Sequence, residues 1–133
     1  MMKSFQEPNL TTLTDFYELT MANGYFANGL GDTICYFDMF FRKVPDKGGF
    51  AIMAGVEQLV EYLKNLRFCD EDIEFLHQKH IFSREFQDYL RNFKFSCDVW
   101  AVPEGTPIFP GEPIVTVRGP AIQAQFIETM VLL

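Results

Sequence analysis

Residues 102–117 read VPEGTPIFPGEPIVTV, with two clusters of turn residues, Pro103-Glu104-Gly105 and Pro110-Gly111-Glu112-Pro113, close together. No helix can pass through such a stretch, because proline lacks the amide donor and clashes with the preceding turn while glycine opens left-handed backbone. The apolar runs between these clusters are therefore short strands, two or three of them between Phe95 and Gly119, joined by tight turns. Pro120 then suits the first position of a helix that continues as AIQAQFIETMVLL. That helix has no Gly or Asn stop and no basic last turn, and its apolar end is expected of a chain cut rather than completed.

Upstream the period changes. Thr11 or Thr12 can cap a helix whose Leu13, Phe16, Tyr17, Thr20 and Met21 recur at helical spacing, closing at Asn23-Gly24, which predicts a helix over about 12–23. Residues 33–43 (TICYFDMFFRK) are β-branched and aromatic and read as a strand. Its alternation puts Cys35, Phe37, Met39 and Phe41 on an apolar face, and Ile34, Tyr36, Asp38, Phe40 and Arg42 on a mixed one. Asp38 and Arg42 would then share a side about 13 Å apart. Val44-Pro45-Asp46-Lys47-Gly48-Gly49 is a turn, and 50–54 a short buried strand ended by Gly55. Val56, Leu59, Val60, Leu63 and Leu66 mark an amphipathic helix with Glu57, Glu61 and Lys64 on its wet side. Two shorter helices follow near 70–79, headed by Asp70-Glu71-Asp72, and 83–92, headed by Ser83. No internal repeat appears.

The chain has 133 residues, the size of one domain. Hydrophobic residues make up 48% and charged ones 22%, enough apolar chain for a folded core. With 11 basic against 18 acidic residues the net charge is −7, which opposes nonspecific binding to nucleic acid or an anionic membrane. No partner of either kind is expected. Cys35, Cys69 and Cys97 are odd in number and widely spaced, so they read as core thiols of a reducing compartment rather than a disulfide framework or a CxxC pair. MMKSFQEPNLTT lacks the apolar stretch of a signal peptide, and nowhere do about 18 apolar residues run together. A cytoplasmic protein is expected.

Few residues carry an obvious chemistry. His77 and His80, three apart on a helix, could share a metal ion, but no ligand of suitable spacing stands beside them, and no zinc site is expected. There is no GxSxG, Walker A lysine, GxGxxG, or Cys with a His partner. The Pro-Gly hairpins of 102–117 resemble those of lipoyl and biotinyl carriers, yet such carriers need a lysine at a hairpin tip and none follows Lys94. Arg42-Lys43 end the apolar strand with two cations that could hold phosphate oxygens or lie solvated. Tyr17 and Asp15 could bind a flat heterocycle, or cap and pack.

Four blocks in order, TDFYELTMANGYF (14–26), YFDMFFRKVP (36–45), GGFAIMAGVEQLVEYL (48–63) and VPEGTPIFPGEPIVTVRGPAIQAQFIETMVLL (102–133), closely resemble the N-terminal part of nicotinate phosphoribosyltransferase. The resemblance covers nearly the whole chain and is least characteristic over about 67–94. It implies an α+β N-terminal domain of the type II phosphoribosyltransferase architecture across 1–133: a small open β-sheet or sandwich with packed helices. Residues 120–133 would lead toward a (β/α) barrel that is not present. It implies a part in NAD salvage, in which nicotinate and phosphoribosyl pyrophosphate give nicotinate mononucleotide and pyrophosphate. ATP hydrolysis is coupled through a phosphorylated histidine, with magnesium on the departing pyrophosphate.

By this resemblance Tyr17 stacks on the nicotinate ring with Asp15 nearby, and Arg42 reaches phosphate oxygens with Lys43 a weaker candidate. The family's phosphohistidine, its carboxylate-binding arginine and most phosphate contacts lie in the barrel. Neither His77 nor His80 falls in a matching block, so no catalytic residue and no metal ligand is assigned here, and the chain alone is expected to be inactive. The family's site is shared across a homodimer, which would give the mixed strand face and the heavy aromatic load of 15 Phe, 5 Tyr and 1 Trp a partner. The alternative is a noncatalytic dimerisation or regulatory module.

Overall fold

Residues 9–133 are described by a computed structural model. Helix α1 (Phe16–Ala27) leads into strand β1 (Ile34–Met39), a 3-10 turn (Pro45–Lys47) and strand β2 (Ala51–Ile52). Helices α2 (Val56–Asn65), α3 (Asp70–Gln78) and α4 (Arg84–Arg91) follow, then strands β3 (Asp98–Ala101), β4 (Pro107–Ile108) and β5 (Val115–Pro120), and helices α5 (Ala121–Phe126) and α6 (Glu128–Leu132). The α+β reading is what the chain adopts. β5 is the centre of a three-stranded antiparallel sheet in the order β1-β5-β3, while β2 and β4 form a separate two-stranded ribbon. Both are open among the described residues. No described helix is long and apolar enough to cross a membrane.

Alternation along β5 assigns its two faces. Val115 and Val117 are buried toward the helices, whereas Thr116 and Arg118 lie on the outer side. Register places Arg118 between Tyr36 and Asp98, and Thr116 between Asp38 and Trp100. The parity expected for β1 holds: Tyr36, Asp38 and Phe40 are exposed and Cys35, Met39 and Phe41 half-buried. Phe37 differs, staying exposed at a cleft described below. The core is aromatic, with Phe86 fully buried among Phe26, Phe82 and Tyr89, and Phe126 against Phe68 and Phe93.

Local punctuation placed most helix ends well. The Ser83 hydroxyl accepts from the Phe86 amide at 3.1 Å and starts α4. The Cys69 amide donates to the Asp72 carboxylate at 2.8 Å, closing the first turn of α3. Several expectations need correction. Helix α1 starts after Asp15, not Thr11 or Thr12, and runs through Asn23-Gly24 to a second Asn-Gly pair. There Asn28 Nδ2 donates to the Gly24 carbonyl at 2.8 Å and Gly29 takes a left-handed φ of 66°. Thr11 is buried instead, its hydroxyl accepting from the Arg67 amide at 3.0 Å.

The strands are shorter than their apolar runs. β1 stops at Met39 and β2 is only Ala51–Ile52, the regular ladders ending opposite Val115 and Pro107. Arg42 therefore lies beyond the regular strand, and the 13 Å spacing from Asp38 does not apply. Pro120 closes β5 and sits just outside α5 rather than inside it. The final helix is broken at Ile127 into α5 and α6, with no proline or glycine at the break.

Helix α1 also buries the side opposite to the one its spacing suggested. Leu19, Ala22 and Glu18 face inward, while Leu13, Phe16, Tyr17 and Met21 are exposed. α1 packs on α5, where Ala22 and Ala124 are both buried, and small side chains let two helices approach closely.

Candidate functional site

The start of α1 meets the start of α6. Thr14 and Asp15 form the turn into α1, and Tyr17, a residue 44% exposed, lies in its first turn. The Asp15 amide donates to the Thr129 hydroxyl oxygen at 3.1 Å. That hydroxyl donates to Glu18 Oε1 at 2.8 Å, and the Thr129 amide donates to the same oxygen at 3.2 Å. The Thr14 hydroxyl donates to Glu18 Oε2. Glu18 thus caps the first turn of α6 from another helix, just after the break at Ile127.

Electrostatics at this junction are acidic. Glu18 is wholly buried, and burial pushes its carboxyl up to about 7. The Thr129 hydrogen bonds oppose that shift, and the charges of Glu128 and Asp15 add to it. Glu128 faces the Tyr17 hydroxyl and, with partial burial and the Glu18 and Asp15 charges, raises it to about 12. Tyr62 is buried with no hydrogen-bond partner for its hydroxyl among the described residues, and burial together with the Glu18 charge raises its pKa. The junction therefore presents a neutral, half-exposed phenol ring rimmed by carboxylates.

Glu128 also borders a cleft of about 200 Å³ between the β1–β5 sheet and α5–α6. Its wall is apolar, with Phe37, Val117, Ile127 and Val131, and Asp38 stands at the rim with Glu128.

Arg42 and Lys43 are held differently. The chain after β1 keeps a β-type pairing, with the Ile114 amide donating to the Met39 carbonyl and the Gly111 amide to the Phe41 carbonyl, each at 2.9 Å. Both cations are exposed and make no side-chain hydrogen bond or ion pair among the described residues. Their donors are available to an anion. Among the described residues no hydrogen bond joins them to the Tyr17 junction.

Sequence reasoning missed Glu18, Glu128, Thr129 and Arg118. Arg118 donates from Nε to the Tyr36 hydroxyl at 2.9 Å and from Nη1 to Asp98 at 3.0 Å, a row across the outer sheet face. The alternation of VTVRG carried that signal, since it puts Arg118 on the side opposite Val117. His77 and His80 are exposed with rings 6.2 Å apart. Among the described residues no three His, Cys, Asp or Glu side chains converge to hold an ion.

A sequence model of the nicotinate phosphoribosyltransferase (NAPRTase) N-terminal domain matches residues 12–133. Nicotinate phosphoribosyltransferase pncB2 of Mycobacterium tuberculosis is 44% identical over 119 residues, 90% of this chain and 26% of its own length. The nicotinate phosphoribosyltransferase of Bacillus subtilis is 36% identical over 128 residues, 96% of this chain and 26% of its own. The crystal structure of human nicotinic acid phosphoribosyltransferase superposes with a TM-score of 0.83 at 38% identity, covering 90% of this chain and 24% of that one. The chain spans about a quarter of the length of the relatives it matches.

Proposed function

The chain belongs to the nicotinate phosphoribosyltransferase N-terminal domain family, and from that membership we propose that it supplies one wall of a site joining nicotinate to phosphoribosyl pyrophosphate. The observation that carries this reading is the Tyr17 ring, left half-exposed while the turn that bears it is tied down by hydrogen bonds. A pyridine ring stacks on such a phenol, and the carboxylates beside it disfavour the substrate's own carboxylate while favouring the ring edge that becomes cationic on ribosylation. Arg42, with Lys43 behind it, holds oxygens of the phosphorylated sugar.

Nicotinate mononucleotide and pyrophosphate are the products in this reading. The coupled ATP hydrolysis, its histidine and the magnesium belong to the part of a full-length enzyme beyond these residues. The enzyme works as a cytoplasmic homodimer with a shared site, and the 133-residue chain alone gives no turnover.

Two substitutions test the assignment in a nicotinate phosphoribosyltransferase carrying this domain. Tyr17→Ala raises the KM for nicotinate about ten- to a hundredfold, the range that loss of one base–aromatic stack spans. Arg42→Ala raises the KM for phosphoribosyl pyrophosphate by about tenfold or more, as expected for a lost charge-assisted hydrogen bond. Unchanged constants in a folded variant would remove that residue from the site. A noncatalytic dimerisation or regulatory module is the second reading, favoured by the exposed Tyr36, Phe40 and Trp100 on the outer sheet face. The expected rise in KM in both variants, with the subunits still associated, excludes it.

A further inference from the structure

We infer that Glu18 and Thr129 are positioning residues for Tyr17: their buried carboxylate–hydroxyl clasp holds the turn into α1 against α6 and so fixes the ring that meets the substrate base. The inference rests on the reading of Tyr17 as the nicotinate contact and adds the groups that act through it.

Tyr17 needs such a device because of where it sits. It lies in the first turn of α1, where the backbone has no preceding helical turn to anchor it, and its ring is not packed in the core. What holds this turn is Thr129, whose hydroxyl takes the Asp15 amide proton at 3.1 Å and passes its own proton to Glu18 at 2.8 Å. Glu18 lies one residue after Tyr17 on the same helix and grips Thr14 as well. The Thr129 hydroxyl on α6 therefore holds both the Asp15 amide and the Glu18 carboxylate, and Thr14 is tied in through the other Glu18 oxygen. Glu128, next to Thr129, faces the Tyr17 hydroxyl from the same helix.

A buried carboxylate with no cation paired to it among the described residues is a costly way to fill an interior position, and an aliphatic side chain would pack there more cheaply. What the carboxylate adds is direction, since two oxygens accepting from Thr14 and Thr129 allow one docking of α1 on α6 where apolar contacts allow several.

The test uses a nicotinate phosphoribosyltransferase carrying this domain. Thr129→Val keeps the shape and removes the hydroxyl, and Thr129→Ser restores it. Thr129→Val should raise the KM for nicotinate by at least about two- to tenfold, since the hydroxyl's bonds to the Asp15 amide and to Glu18 are both lost, and leave the KM for phosphoribosyl pyrophosphate unchanged. Thr129→Ser should return the nicotinate constant to the parent value. Combined with Tyr17→Ala, Thr129→Val should add nothing further, because its effect passes through the ring. Equal rises for both substrates, or no rescue by serine, would mark Thr129 as merely structural and overturn the inference. So would additive effects in the double variant. An unaltered nicotinate KM in Tyr17→Ala alone would instead defeat the underlying reading of the site, and the positioning role with it.

Discussion

Raising the pH from about 4.5 to about 7 should lower the unfolding free energy of this chain, and Glu18→Gln should remove most of that fall. Burial lifts the Glu18 carboxyl from 4.5 to about 7, so between those values the folded chain holds a proton that the unfolded chain has released. Stability from this group is fully present below the unfolded value and is lost as the pH rises through the folded one. The loss amounts to at most about 3 kcal/mol, from roughly 1.4 kcal/mol per pH unit. Asp15 and Glu128 repel the same charge, so neutralising Glu18 also relieves them. Glutamine keeps an acceptor for Thr129 and carries no charge. Urea unfolding at a series of pH values should show the variant close to wild type near pH 5 and more stable than wild type near pH 8. Parallel curves for the two proteins would show that Glu18 does not titrate in this range.

Phe86→Ala should be the most damaging of single truncations in the aromatic core. The ring is wholly buried, with Phe26, Phe82 and Tyr89 centroids at 5.6, 5.8 and 6.2 Å. Removing it deletes the transfer energy of the ring and leaves a cavity, together about 3–5 kcal/mol. That is a large share of the roughly 5–15 kcal/mol that a domain possesses. The urea midpoint should fall by at least about 1 M, given slopes of about 1–3 kcal/mol per molar for chains of this class. Phe75 is the control: it is half-exposed on α3 beneath the Lys79 ammonium, and Phe75→Ala should cost only about 0.5 kcal/mol. Similar midpoints for the two variants would mean that Phe86 is not in the cooperative core.

The contrast between these two phenylalanines shows how far sequence reading reached. Both lie in amphipathic helices whose ends were legible, since Ser83 and the Asp70-Glu71-Asp72 run act through neighbours a few residues away. The turns at 103–105 and 110–113 were legible for the same reason, proline and glycine constraining their own backbone. α1 was not, because it is apolar on more than one side. Spacing favoured Leu13, Phe16, Tyr17 and Met21, whereas α5 docks on Leu19 and Ala22. Glu18 lies on that docking side, where a carboxylate argues against burial unless its partner is known. The partner, Thr129, is 111 residues away.

For the candidate site the division is similar. Tyr17, Asp15, Arg42 and Lys43 were named from the TDFYELTMANGYF and YFDMFFRKVP blocks, but the contacts that hold the first pair come from Glu18, Glu128 and Thr129. The sequence by itself determined the kinds of elements, most of their order and the residue types available for chemistry, because these follow from local sterics, capping and periodicity. Only the tertiary structure decided which side of α1 is interior, where the last helix breaks and what surrounds Tyr17. A helix has no inner side until another surface meets it, and a buried carboxylate is tolerable only where distant donors reach it.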